Sequence, residues 1–370
     1  MGTLSVHNMP PMRAPRLAPA LLCVLAAGAF VGGCGGGSDS SESTSASGAT
    51  AQSRPAPPKS EFPSPEGRSL REMVKATDAR TELLVEPAAE VFYPGQNRYP
   101  FEIVDKDHKP ISDAEVALYY AKVPQPRPGA KSKSGNRGPA AKAEAQALDE
   151  PAVGPFPAKI ESLATKPQFR AESTSEDPDA AAVVYSTELS FPGDGEWRLA
   201  AILKEDGELK AAVLPGVVVG EFERVPQPGQ KAPVIHTPTA QDAGGELSKI
   251  TTRMPADSQN KVDFADALGR EPIVLLFATP QFCQSRVCGP VVDVAEQAKS
   301  EDGDKAAFIH MEIYNDNDPG QGVRPQVRAF HLPSEPWLFA IDRQGVVREA
   351  VEGAFGLKLM HEAVDKAIAR

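Results

Sequence analysis

The chain is poor in cysteine, in aromatic side chains and in positive charge, and it has no long hydrophobic run. Its 370 residues hold four cysteines, at positions 23, 34, 283 and 288. That is too few for a disulfide-stapled scaffold and, at those positions, for a four-thiolate zinc site. Lys and Arg number 39 against 50 Asp and Glu, a formal charge of −11. This argues against a nucleic-acid partner, because phosphate binding depends on a basic surface that releases counterions. The most sustained apolar run, residues 17–31, falls short of the roughly 20 residues that a membrane-spanning helix needs. Aromatics make up only 6%, yet apolar residues reach 41%, enough for folded cores, and the length exceeds what one ordinary domain needs. Two domains with linkers are expected, since 36 prolines are close to twice the usual share.

Residues 1–33 open with a polar segment containing Arg13 and Arg16, pass through the apolar run and end in small residues, the layout of a secretory signal. The stretch Val31-Gly32-Gly33-Cys34 resembles the lipobox of bacterial lipoproteins. The resemblance implies cleavage before Cys34 and lipid on that cysteine, holding the protein to the extracytoplasmic face of a cell membrane. Residues 34–80 read as a disordered tether, because 35–60 is nearly all Gly, Ser, Thr, Ala and Pro and buries too little to offset chain entropy. Cys23 leaves with the signal and the lipid takes Cys34, so Cys283 and Cys288 remain as one pair in a compartment where disulfides persist.

Residues 81–222 carry short β-like segments at 82–86, 99–104, 114–122, 183–190, 196–204 and 209–219, separated by turn residues at 105–110 and 205–208. The pattern predicts a small antiparallel β-sandwich, with Trp197 as a core anchor. The stretches PFEIVDKDHKPISDAEVALYYAK and VVYSTELSFPGDGEWRLAAIL resemble the immunoglobulin-like modules of exported bacterial proteins, including the YtkA-like type. A Pro-, Ala- and Lys-rich insertion at about 124–180 is expected to be mostly disordered, its basic residues forming a solvated loop.

Pro226 and Pro228 mark a boundary, and residues 228–370 have a different grammar: strands at 272–279, 307–314, 336–342 and 346–353, with helices at 289–299 and 357–370. Continuous apolar strands between helices predict an α/β sheet covered on both faces.

The stretch IVLLFATPQFCQSRVCGPVVD sets two cysteines just past a buried strand and at the start of a helix, where unpaired amides and the helix dipole favour thiolate, the attacking species in disulfide exchange. This stretch, the later Ser334-Glu335-Pro336-Trp337 strand and the Gly-turn strand pair resemble the thioredoxin superfamily, particularly its exported redoxin-like members. The resemblance implies a thiol-disulfide oxidoreductase acting on exported protein thiols, with catalytic Cys283 and Cys288. It also implies a cis-proline at Pro336 against the pair, and substrate contacts from Glu335 and Trp337. No resident cofactor is implied.

Spacing is C-x4-C rather than C-x2-C, so Cys283 must precede the helix for the sulfurs to meet. Two alignments stay open: Cys283 attacks and Cys288 resolves, or Cys288-Gly289-Pro290 overlays the family's Cys-Gly-Pro and Cys288 attacks. Leu276 stands where the family has a buried acid. The same stretch also resembles Sco-type copper chaperones, which would add His331, or His310, to the two sulfurs. A scaffold lipoprotein with only a structural disulfide is the remaining alternative.

Overall fold

The computed structural model describes residues 52–124, 146–175, 181–222, 224–283 and 287–369. The expected signal, Cys34 and Arg286 lie outside them. The described residues are sheet-rich, with three sheets among them. Ten strands form the N-terminal part: β1 Ala79–Arg80, β2 Leu84–Pro87, β3 Gly95–Val104, β4 Glu115–Lys122, β5 Val153–Pro157, β6 Lys159–Ser162, β7 Val183–Phe191, β8 Gly195–Glu205, β9 Glu208–Val213 and β10 Val217–Val219. One sheet runs β1-β9-β8-β4-β5 with β10 also on β8, and the other runs β2-β3-β7-β6. Alternate residues of both, among them Phe101 and Tyr185 from one and Leu118 and Leu199 from the other, build a single apolar cluster. The two sheets therefore face each other across a shared core. Trp197 is 3% exposed there, packed on Tyr120 and Phe191 with ring centroids 5.3 and 5.5 Å away.

The structure changes two sequence-based expectations. The insertion at 124–180 contributes β5 and β6, one to the edge of each sheet. Pro155 and Pro157 lack the N–H that an interior strand would need, which is tolerable at an edge. The tether expected over 34–80 is ordered from residue 54, where Arg54 pairs with Ile160. Phe62, Leu70 and Met73 cover the outer face of β4 and β8, touching the cluster of Ala117, Tyr119 and Ile202. The short helix Leu70–Lys75 starts with a reciprocal capping box between Ser69 and Glu72, which satisfies two orphan amides.

The C-terminal sheet has the order β12-β11-β13-β14, with β11 Ile273–Phe277, β12 Ala307–Met311, β13 Trp337–Ile341 and β14 Val347–Glu352. β11 is parallel to β12 and antiparallel to β13. The helix Cys288–Asp302 makes the parallel crossover and shares one face with the helix Leu357–Ile368, through Val291, Val294 and Met360 against Leu276, Phe308 and Leu338. Phe264 and Val327, from short helices at Phe264–Ala267 and Pro325–Ala329, and Phe330, which follows the second, cover Leu275, Phe277 and Phe339 on the other. Both faces are covered, as the continuous apolar strands predicted. Residues Ala49–Arg370 form one compact unit. The N–H groups of Glu90 and Val91 donate to the Glu352 carboxylate at 2.8 and 2.9 Å, and Arg98 donates to the Ala354 carbonyl at 2.6 Å.

Candidate functional site

Phe277 ends β11 in the middle of the sheet, and the chain reaches Cys283 six residues later in irregular backbone. Cys288 is the first residue of its helix, so the non-helical start required by the spacing is present. The two cysteines are not joined in a disulfide but hydrogen-bond each other, Cys283 half-buried and Cys288 fully buried. Burial, and then the neighbouring Cys283, push the Cys288 thiol well above the usual range, against the opposing effect of the Thr279 backbone N–H. A buried thiol of that kind is a weak attacker until its neighbour reacts. The asymmetry favours Cys283 as the residue that meets a substrate.

The β13 side of the site follows from register. Phe277 pairs with Trp337 at the end of the β11–β13 ladder, so Pro336 and Glu335 immediately precede β13 at the end of the sheet where β11 runs on toward the cysteines. The Glu335–Pro336 peptide is cis, as the sequence reading expected. The Glu335 carboxyl is pushed up to about 7, first by burial and then by Cys283, Glu312 and Glu90. Trp337, expected as a substrate contact, packs into the apolar cluster of the sheet. It is 3% exposed, stacks on Phe339 at 5.6 Å and donates its indole N–H to the Ser334 hydroxyl at 3.2 Å. Its ring belongs to the cluster on the sheet face away from the Cys288 helix.

On the β12 side stand residues that motif reading missed. Glu312, 1% exposed, accepts from the N–H and hydroxyl of Thr252 at 2.9 and 3.1 Å. That hydroxyl in turn accepts the Gln281 N–H at 3.2 Å, which ties the cysteine loop to a buried carboxylate. Tyr314 sets its ring edge-on to Phe282 at 6.3 Å. Below the loop, His310 Nδ1 meets Asp257 at 2.8 Å and Nε2 meets the Ala278 carbonyl at 3.1 Å. Burial works against charge on this imidazole, but Asp257 outweighs it and raises His310 to about 9. Arg253 pairs with Asp293 on the Cys288 helix at 2.9 Å and donates to the carbonyls of Pro255 and Phe169 at 2.7 and 2.6 Å.

No protein-family model and no curated protein matches this chain.

The donors needed for copper do not converge. Both nitrogens of His310 are engaged. His331 is exposed in left-handed backbone, φ 54°, and no group of three or more His, Cys, Asp or Glu side chains poised for a metal occurs among the described residues. Cys283, Cys288 and Glu335 lie near enough to act on one another's charge, with Pro336 following Glu335; His331 and Trp337 do not join them. Residues 250–263 have no periodicity or motif, so Thr252, Arg253 and Asp257 carried no signal in the sequence.

Proposed function

We propose that this chain is a lipid-anchored, extracytoplasmic thiol-disulfide oxidoreductase, with a thioredoxin-like C-terminal domain on an immunoglobulin-like module. What carries the reading is the unequal thiol pair beyond the end of a central buried strand, with Cys283 half-buried before the helix, Cys288 buried at its first turn and cis-Pro336 leading into the strand paired with it. The order strand, helix, strand, strand pair and helix over 273–368 supports the same reading. Lipid on Cys34 rests on the lipobox resemblance.

The chemistry balances as two exchanges. The Cys283 thiolate attacks one sulfur of a substrate disulfide, forming a mixed disulfide and releasing the first substrate thiolate. Cys288 then loses its proton and attacks Cys283 Sγ, forming the intramolecular disulfide and releasing the second thiolate. Two electrons pass from the pair to the substrate, and the two thiol protons end on the released thiols. The reverse sequence oxidises a substrate dithiol. Burial keeps Cys288 protonated until the mixed disulfide forms beside it. The Glu335 carboxyl, held near neutrality next to Cys283, is in the range where a proton moves readily.

Cys288→Ser should trap a stable mixed disulfide on Cys283, and Cys283→Ser should form none, read by intact mass after incubation with a disulfide-bonded peptide. The wild-type pair should titrate between about −120 and −270 mV, the span of known exchange catalysts. A midpoint below about −300 mV would mark a structural bond and overturn the catalytic reading.

A further inference from the structure

The loop that leads into β13 has little backbone bonding of its own. Two of its four residues, Pro333 and Pro336, carry no N–H. What holds the loop lies at the end of β14. The Ser334 hydroxyl donates to the Glu352 carboxylate and accepts the Trp337 indole N–H at 3.2 Å, while the Pro336 carbonyl accepts the Gly353 N–H at 2.9 Å. Glu352 is paired with Trp337 in the β13–β14 ladder, so the carboxylate and the indole reach Ser334 from the same face of the sheet.

The same two residues receive the N-terminal module. The Glu90 and Val91 N–H groups donate to the Glu352 carboxylate at 2.8 and 2.9 Å. Gly353, φ 78°, packs so closely on the Ala88 carbonyl and the Pro100 ring that a Cβ there would collide with both. The turn that makes these contacts is fixed to the sandwich at each end. The Ala88 N–H donates to the Pro100 carbonyl, and the Gly220 N–H to the Phe92 carbonyl, both at 2.9 Å. Glu352 is buried, and a buried acceptor loses a donor only at a cost. Ser334 and the two module amides therefore share one anchor, and a shift of either is felt by the other.

Resting on the oxidoreductase reading, we propose that Glu352 is a positioning residue, through which the N-terminal module sets the Ser334–Pro336 loop against which a polypeptide disulfide lies while Cys283 attacks it. A small disulfide needs only to reach Cys283, so the placement of the loop registers with peptides alone. Ser334→Ala cuts the loop from the carboxylate and Ser334→Thr keeps the hydroxyl, and the position is half-buried, where such changes leave the fold intact. The oxidation rate of the reduced full-length chain is measured with a disulfide-bonded peptide and with hydroxyethyl disulfide. Ser334→Ala should slow the peptide at least about tenfold and keep the small disulfide within about twofold, with Ser334→Thr restoring the peptide rate. Coupling between sites is reciprocal, so Ser334→Ala should also speed hydrogen exchange at the Glu90 and Val91 amides by about fivefold or more, read by mass spectrometry of the peptide spanning 88–92. A peptide rate unchanged in Ser334→Ala, or a fall shared equally by both disulfides, overturns the positioning role, while oxidation of the wild type keeps the oxidoreductase reading. Unchanged exchange at Glu90 and Val91 breaks the link to the N-terminal module and overturns the proposal as well. If neither disulfide oxidises the wild type, both readings fall.

Discussion

His310 and Asp257 form an ion pair with neither side chain exposed to solvent, directly under the loop that carries Cys283. Removing one partner of such a pair leaves a buried charge uncompensated and costs about 3–5 kcal/mol. His310→Gln should therefore lower the urea midpoint strongly, and it should change the pH profile in a defined direction. The imidazole is raised from 6.5 to about 9 in the folded protein. Its contribution is fully present below the unfolded value and is lost as pH rises through the folded one. Asp257, held down to about 2 against its own burial mainly by His310, loses its share only in strong acid. Wild-type stability should fall between pH 6.5 and 9, and His310→Gln should flatten that decline. If the two profiles run parallel, the pair is not charged in the fold. The cysteines and Pro336 were legible because strand, helix start and cis-proline leave marks at fixed offsets. The pair beneath them was not, since a histidine on a strand and an aspartate in irregular chain become partners only once the strand and loop have packed.

At the level of elements, the strands that read best were those with both faces buried. β11, β12 and β13 are buried at every position, and a continuous apolar run leaves little choice of register. The N-terminal segment was hard to read for the opposite reason. Its few apolar residues are spaced among prolines and charges, and their use depends on a partner: the second face of β4, where Ala117, Tyr119 and Ala121 point away from the shared core. Leu70, fully buried in that layer, tests the point. Leu70→Ala should cost about 2–5 kcal/mol if the segment is part of the folded unit, read from equilibrium urea unfolding. A change below about 0.5 kcal/mol, the range of exposed surface substitutions, would restore the tether down to residue 80.

Across the whole molecule, the boundary suggested by Pro226 and Pro228 separates two sequence grammars without separating two independent bodies. Glu352 is 8% exposed and takes three donors, two from the N-terminal module and one from Ser334. Arg98 crosses the same junction to the Glu352 and Ala354 carbonyls at 3.3 and 2.6 Å, and is itself paired with Glu161 at 3.2 Å. Thermal unfolding of the full chain should follow one calorimetric transition, with calorimetric and van't Hoff enthalpies equal. Glu352→Ala, which strands the Glu90 and Val91 amides, should split it into two. Two transitions in the wild type would mean that the junction is too weak to couple the modules. The junction also bears on inheritance. A gene rearrangement that carried off residues 228–370 alone would leave the Glu352 carboxylate and the carbonyls that Arg98 meets without their complements. The two modules are therefore expected to travel between genes as one piece, and a lone dithiol half would have to evolve a new cover for Glu352 before it could persist.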